Sequence, residues 1–261
     1  MKSKLLATAL GVALAVGLSS QAFAGAILII NGSSGTSEPG TTSAITTNLN
    51  NLHVAAGNTV TIADLVPGSF AGFDQVWDVR FSNGLAITAP QQTQYLSYLQ
   101  GGGGMFVMGE NSGFATRNNS VLALIAAAGG GNLNFVSPLS SQTVVAPFTG
   151  PNAIANVVYA APGGVDSAGT GQFITVDGNG DGTGVAFGVG DLANASTGAL
   201  TTIFDVNFMA IAESQNLTRN LINFVGEEVD PPMDIAEPGT LAVFGLGLVG
   251  LGFARRRKTA A

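Results

Sequence analysis

The strongest constraint on the fold is a run of five apolar residues, Ala26–Ile30, followed directly by the polar, glycine-containing stretch 31–35. A strand with one wet face alternates apolar and polar residues, whereas this run has no polar position. Such a strand is buried on both faces, which is typical of a parallel sheet with a helix layer on each side. The run therefore predicts an α/β domain that begins near Gly25.

The residues after this run alternate between helix and strand signals. Apolar residues spaced three or four apart predict a first helix, and Thr88 and Gln91 have the capping-box spacing that opens a second. Repeated strand–helix units form a parallel sheet between two helix layers, so we expect a three-layer domain. The predicted strands are 26–30, 59–63, 75–79, 105–108, 133–136 and 200–205, and the predicted helices are 45–56, 88–101, 118–128 and 217–225.

The segment 137–200 departs from this pattern because it is rich in Gly, Pro, Ser and Thr. Its short strand candidates indicate either an antiparallel, Gly-rich β extension or decorated loops. The predicted domain spans 25–229, and 230–238 is a stiff, Pro-rich linker to the tail. The strand candidates in the extension are 154–159, 172–176 and 184–189.

Composition excludes several kinds of site, because cysteine is absent and histidine occurs once. Disulfides, thiolate zinc sites, iron–sulfur clusters and cysteine nucleophiles need thiols, and a multi-histidine metal site needs more than one imidazole. The segment 25–236 has three arginines and 15 acidic residues, a formal charge of −12 against −7 for the whole chain. This charge argues against a nucleic-acid partner, since a phosphate backbone is bound by clustered Lys and Arg.

Residues 1–24 have the three parts of a secretory signal peptide. Two lysines provide the charged start, an apolar stretch covers 5–18, and Ala22 and Ala24 occupy the small-residue positions that signal peptidase reads. We therefore expect export and cleavage after Ala24.

A second apolar segment covers 240–254 near the other end of the sequence. A helix of this length spans ~22 Å, which is short of the ~30 Å hydrocarbon core, so it inserts only with local thinning or snorkelling. Basic flanks resist translocation, so we expect this end in the cytoplasm and the domain outside it, with the apolar helix contacting the membrane. The basic residues that close the segment are Arg255, Arg256, Arg257 and Lys258.

Glu237, Pro238 and Gly239 stand directly before this apolar segment, and the basic cluster closes it. This three-part order resembles the PEP-CTERM sorting signal of Gram-negative bacteria, although Ala236 replaces the first proline of the usual Pro-Glu-Pro. The resemblance implies that the tail 239–261 is processed by a membrane-embedded exosortase as part of envelope and exopolysaccharide export. It also implies an inner-membrane-anchored precursor that then reaches the cell surface or the extracellular space.

Three stretches of the domain resemble the glutamine-amidotransferase-like branch of flavodoxin-like folds, including its trehalose-utilisation-type relatives. The first is 73–78, which brings a strand to the sheet edge, and the second is 101–111, which resembles the nucleophile-elbow region. The third is 202–208 followed by 220–224, which resembles the closing strand and helix. The resemblance implies a three-layer flavodoxin-like, class I glutamine-amidotransferase-like fold.

The catalytic chemistry of that family is not expected here. The family's elbow pattern places Asn111 at the nucleophile, where the family has a catalytic Cys, and an amide is not activated by a neighbouring base. The only candidate base, His53, falls on the first predicted helix, and we expect it on the helix surface. We therefore predict no catalytic residues and no enzyme activity.

Carboxylates follow several of the predicted strands. Asp78, Glu110 and Asp205, with Asn111, are expected near the carboxyl ends of strands, where open α/β sheets bind ligands. A carboxylate pair there could serve a surface hydrolase or lyase acting on a polysaccharide. The alternative is that these side chains cap helices and end strands through local hydrogen bonds.

The stretch 177–183 matches the first half of a calcium loop. Asp177, Asn179, Asp181 and Thr183 alternate with glycines, and hard oxygen ligands at such spacing suit Ca²⁺. However, Gly188 stands at the twelfth position, where an EF-hand needs a bidentate Glu, and such Asn-Gly and Asp-Gly steps also form hairpin turns. A hairpin turn and a calcium-stabilised adhesion module both remain open, and no other cofactor is predicted.

The two ends of the sequence carry more functional information than the domain between them. They predict a non-catalytic, exported cell-surface or extracellular-matrix protein, linked to exopolysaccharide and biofilm. Its expected partners are signal peptidase, an exosortase-type processing enzyme and an exopolysaccharide. A carbohydrate-active surface enzyme and a calcium-stabilised adhesion module are the alternatives.

Overall fold

The computed structural model describes residues 25–32, 39–80 and 85–229, without the side chains of 39–43 and 206. The predicted signal peptide, linker and sorting tail lie outside these residues. The described part of the chain is an α/β fold with a nine-stranded mixed sheet, in agreement with the predicted α/β class.

Five parallel strands form one half of the sheet, and the first of them is the apolar run that begins the domain. The last four residues of that strand are buried, as a strand covered on both faces requires. The five strands lie side by side in the order β2, β1, β3, β4, β11. Their bounds are β1 (Ala26–Ile30), β2 (Thr59–Ala63), β3 (Gln75–Asp78), β4 (Gly104–Val107) and β11 (Ala199–Ile203).

Helices cover both faces of these strands, so the described domain has three layers. Ile27 and Ile29 belong to the core cluster under one pair of helices, whereas Leu28 and Ile30 belong to the cluster under the other pair. This division follows from the alternation of side chains along a strand. The first pair is α1 (Pro39–Ala55) and α4 (Gln215–Val229), and the second pair is α2 (Ala89–Gln100) and α3 (Ala115–Ala128).

The Gly-rich segment continues the same sheet with four antiparallel strands, so the antiparallel extension forms rather than decorated loops. They follow β11 in the order β10, β9, β6, β7. The strand β6 has no counterpart among the predicted elements, since its sequence, SQTV, is a weak strand signal. The bounds are β6 (Ser141–Val144), β7 (Asn156–Val158), β9 (Gln172–Val176) and β10 (Gly184–Phe187).

The predicted strand 133–136 forms only at 135–136 and does not join the parallel run, so its predicted place in the sheet is wrong. Its residues form β5 (Phe135–Val136), which pairs with β8 (Gly164–Val165) in a separate two-stranded sheet. The reason is that β11 occupies the position beside β4 that a strand after α3 would otherwise take.

No helix within the described ranges is long and apolar enough to cross a membrane. The apolar helix predicted in the tail 239–261 lies outside those ranges.

Candidate functional site

The carboxyl ends of β3, β4 and β11 meet at one edge of the sheet, and three of the predicted site carboxylates follow these strands. Asp78 is the last residue of β3, and Glu110 and Asp205 stand just beyond β4 and β11. The pairing continues past the strands, since the Met108 N–H donates to the Asp78 carbonyl and the Gly109 N–H to the Ile203 carbonyl, both at 2.9 Å. The chain order also reverses here, between β1 and β3, which is where open α/β sheets bind ligands.

Asp78 is the centre of a buried ion cluster. Arg80 donates to both carboxylate oxygens, from Nε and Nη2, at 2.8 Å each. The Tyr95 hydroxyl donates to Oδ2 at 2.7 Å, and Arg117 Nη2 donates to the same oxygen at 3.2 Å. The side chains of Asp78 and Arg117 are fully buried and that of Arg80 is nearly so. The carboxylate oxygens are therefore occupied by hydrogen bonds and ion pairs to neighbouring side chains, an arrangement that suits a structural role.

Burial alone would raise the pKa of Asp78, but the charges of Arg117 and Arg80 outweigh it and hold the pKa well below its ordinary value.

Two guanidinium groups share one carboxylate, so these three side chains carry a net charge of +1. Arg117 Nε donates to the Met108 carbonyl at 3.0 Å, while its Nη1 has no hydrogen-bond partner among the described residues.

The turn after β1 packs directly on this cluster. Gly32 has a left-handed φ of +52°, and a Cβ there would collide with the aliphatic part of Arg80. Glycine is thus required by both its backbone conformation and its close approach.

Asp205 and Asn111 act as caps of short 3₁₀ helices. Asp205 Oδ1 accepts from the Asn207 N–H at 2.9 Å, and its Oδ2 accepts from the Ala161 N–H at 3.0 Å; burial raises its pKa. Asn111 Oδ1 accepts from the Gly113 N–H at 2.9 Å. Asn111 has a φ of −65°, an ordinary extended conformation, whereas a nucleophile elbow is a strained turn.

Glu110 is 3% exposed and lies in the loop that joins β4 to α3. Its N–H donates to Asn118 Oδ1 at 2.8 Å, and Asn118 Nδ2 donates to the Asn111 carbonyl at 2.9 Å. The first turns of α3 therefore fix the path of this loop.

The calcium-loop candidate forms the turn between β9 and β10. Asp177 Oδ1 accepts from the N–H groups of Asn179 at 2.7 Å and Asp181 at 3.1 Å, and its Oδ2 accepts from the Leu139 N–H at 2.8 Å. Thr183 is buried, and its N–H donates to Gln142 Oε1. The carboxylate that a calcium ion would need is used by the turn itself, so this geometry favours the hairpin alternative.

Calcium is accordingly expected to leave the stability of the protein unchanged. In the described ranges, no group of three or more His, Asp or Glu side chains is placed to hold a metal ion. The melting temperature measured with and without millimolar Ca²⁺ should agree within error. A rise of several degrees, abolished by Asp181→Asn, would instead establish a calcium site at this turn.

The prediction that His53 lies on the helix surface is wrong. The residue is in α1 as predicted, but it is fully buried, since it stands four residues after Leu49 on the inward face. Its ring meets Trp77 edge-on at a centroid distance of 4.9 Å, and its Nδ1 lies 3.2 Å from Asn58 Nδ2. Its Nε2 has no partner among the described residues.

Burial lowers the pKa of His53 to about 3, so the folded protein keeps this ring neutral. The unfolded chain takes up a proton below its pKa of about 6.5, and stability is therefore complete above that pH and falls as the pH decreases. We expect a loss of about 2 kcal/mol between pH 7 and pH 5, measured by urea denaturation. His53→Gln should remove most of this dependence, and an unchanged slope in that variant would contradict the assignment.

Sequence reasoning missed the three partners of Asp78. Arg80, Tyr95 and Arg117 come from a strand end and two helices, and only the fold brings them to one carboxylate. The available signal in the sequence was the rarity of arginine, because two of the three arginines in 25–236 pair with Asp78.

Two cavities lie away from this edge. A groove of about 720 Å³ is at the opposite, amino edge of the sheet, and its lining includes Gly25, Phe70, Asp74, Tyr98 and Val229. A smaller pocket of about 250 Å³ lies between α1, α4 and the loop before β7.

The domain is similar in fold to solved structures of low sequence identity. The N-terminal domain of mmIFT52 aligns with a TM-score of 0.55 and 12% identity, over 77% of this chain and 96% of that one. The exo-β-1,4-mannosidase Op5Man5 from Opitutaceae bacterium strain TAV5 aligns with a TM-score of 0.50 and 12% identity, over 77% of this chain and 36% of that one. These likenesses concern the fold alone and do not confirm an amidotransferase-like domain.

A ThuA-like protein from Bacteroides uniformis aligns with a TM-score of 0.46 and 14% identity, over 78% of this chain and 91% of that one, a likeness too low to carry an argument. No curated protein matches the chain in sequence.

Residues 235–258 match the PEP-CTERM protein-sorting motif. The matched range contains Glu237, Pro238 and Gly239 together with the apolar segment and the basic cluster, so the sorting signal predicted from these residues is confirmed. The chain therefore carries a PEP-CTERM sorting signal after an α/β domain, which supports an exported protein that an exosortase-type enzyme processes.

Proposed function

We propose that the protein is a non-catalytic component of the cell surface or extracellular matrix, delivered through its PEP-CTERM tail and associated with exopolysaccharide. The match of residues 235–258 to the sorting motif carries this proposal. Signal peptidase removes 1–24, the tail holds the precursor in the inner membrane, and an exosortase-type enzyme then releases the domain.

The two ends of the described domain lie at the same edge of the sheet. Gly25 and Val229 both line the groove at the amino edge of the sheet, whereas Asp78 lies at the carboxyl edge. The sorting tail therefore follows the domain from the edge of the sheet opposite Asp78.

The strand order supports a flavodoxin-like assignment of the domain. With β11 counted as the fifth parallel strand, the order is 2-1-3-4-5, which is the flavodoxin-like order. We infer that the domain keeps this framework while lacking amidotransferase chemistry, because Asn111 is an ordinary helix cap.

The uses of the candidate carboxylates favour a non-catalytic role. Asp78 is neutralised by arginines, and Asp205 accepts from main-chain N–H groups. A general acid–base pair needs carboxyl groups that can reach a substrate. The cap made by Asp205 fits the alternative in which these side chains make local hydrogen bonds, whereas the ion pairs of Asp78 are a structural use that the sequence did not predict.

Activity screening tests the non-catalytic proposal. The purified full-length protein should turn over no member of a broad panel of neutral and acidic glycans. Turnover that disappears in Glu110→Gln, with the unfolding midpoint unchanged, would establish the alternative of a carbohydrate-active enzyme at the carboxyl edge.

A further inference from the structure

The 250 Å³ pocket between α1 and α4 has an unusual polar lining. Arg219 and Asn223 stand one helical turn apart on α4, and Asn152 faces them from the loop before β7. Leu52 and Ile222 provide apolar surface in the same pocket, and both are buried. Pocket volumes for drug-sized ligands run from about 300 to 1,000 Å³, so this pocket suits a single sugar ring.

The loop that carries Asn152 is fixed by a buried asparagine. Asn220 Oδ1 accepts from the main-chain N–H of Asn152 at 2.9 Å and from its Nδ2 at 3.0 Å. Asn220 Nδ2 in turn donates to the carbonyls of Phe148 at 2.6 Å and Asn152 at 2.8 Å. The pocket wall is therefore held in place before any ligand arrives, which lowers the entropic cost of binding.

Several polar groups in this pocket lack hydrogen-bond partners among the described residues. Arg219 and Asn223 make no side-chain hydrogen bond or ion pair with the described residues. The Nδ2 group of Asn152 is used by Asn220, which leaves its Oδ1 as an acceptor. A half-buried guanidinium and two amides thus present donors and acceptors to one small volume.

This set of groups matches one class of ligand. A guanidinium binds a carboxylate through two parallel hydrogen bonds, and amide groups pair with hydroxyls as donor and acceptor. Apolar side chains suit the C–H face of a sugar ring. We propose that this pocket binds a uronic acid residue, that is, a sugar whose carboxylate pairs with Arg219. The proposal names the ligand of the exopolysaccharide association proposed above and rests on it.

The negative charge of the domain restricts where an acidic sugar can bind. The segment 25–236 carries a formal −12, so its surface as a whole repels acidic polymers. Arg80 and Arg117 are committed to Asp78, and Arg219 is the remaining arginine of that segment. Binding is therefore confined to a site with one positive charge, and its affinity should fall only modestly as salt is raised.

The test is calorimetric titration of the full-length protein with sodium glucuronate, the neutral methyl β-glucoside and sodium acetate. Glucuronate should bind at least about tenfold more tightly than methyl β-glucoside, which lacks the carboxylate for the charge-assisted hydrogen bonds to Arg219. It should also bind at least about tenfold more tightly than acetate, which has the carboxylate but no ring to contact the amides and apolar side chains of the pocket. Arg219→Gln should weaken glucuronate binding by at least about tenfold. Asn223→Leu, which keeps the charge and fills the pocket, should weaken it as well.

Thr93→Glu is the matched control, because it also lowers the charge by one but lies exposed on α2, in the opposite helix layer. It should leave glucuronate binding within twofold of the unaltered protein. Three results would overturn the proposal: no glucuronate binding, equal affinity for acetate or the neutral sugar, or an affinity that Arg219→Gln leaves unchanged. Titration in solution does not depend on where the protein is sorted, so the outcome is separate from that of the localisation experiments.

Discussion

Asp78→Asn is expected to lower the free energy of unfolding by about 3–5 kcal/mol, because it leaves the buried guanidinium groups of Arg80 and Arg117 without a carboxylate. Domains of this kind are stabilised by only about 5–15 kcal/mol in total. The variant should therefore be partly unfolded under mild conditions. Urea denaturation followed by circular dichroism measures the effect.

Asp74→Asn provides the matched control for this substitution. Asp74 is exposed, and its Oδ2 accepts a single main-chain hydrogen bond, from Ala26 at 2.7 Å. We expect it to cost no more than about 1 kcal/mol. A similarly small loss in Asp78→Asn would contradict the assignment of a buried structural ion cluster.

A double substitution separates the charge from the packing. Asp78→Asn combined with Arg117→Met removes one of the two uncompensated charges, while the Met side chain fills most of the volume that the Arg117 side chain occupies. The double variant should be more stable than Asp78→Asn alone. A further loss equal to the sum of two independent effects would show that Arg117 is not paired with Asp78 in the folded protein.

Replacement of Arg255, Arg256 and Arg257 by Ser is expected to prevent release of the protein at the surface. The basic cluster closes the matched sorting motif and resists translocation, so its loss removes the charge that keeps the end of the tail in the cytoplasm. Most of the variant should accumulate as unprocessed precursor. Fractionation of the host cells and immunoblotting measure the ratio of precursor to mature protein.

The matched control for the tail replaces the same three arginines by Lys. This variant keeps the positive charge and should be sorted like the unaltered chain. Normal surface delivery of the Ser variant would argue against a role for the basic cluster in sorting.

The parallel half of the fold could be predicted because its strands are buried on both faces. Ala26–Ile30 and Met105–Val107 are uninterrupted apolar runs, and the intervening helices carry apolar residues at helical spacing. The extension was harder to predict because Gly, Ser and Thr give weak period-two patterns. The strand at Ser141–Val144 was missed for this reason.

The candidate site shows the same division between local and long-range information. The positions of Asp78 and Asp205 at strand ends follow from local sequence, and so does the helix-capping role of Asp205. The pairing of Asp78 with Arg117 links residues 39 positions apart and depends on the packing of α3 against the sheet. The burial of His53 could have been inferred from its spacing to Leu49, because both stand on the inward face of α1.

Export of the protein and its sorting by the tail are tested most directly by the intact mass of the protein recovered from the surface of its host. The mass should correspond to a chain that begins at Gly25 and lacks the basic cluster 255–258. Recovery of the intact 261-residue chain from the cytoplasm, with none at the surface, would contradict both.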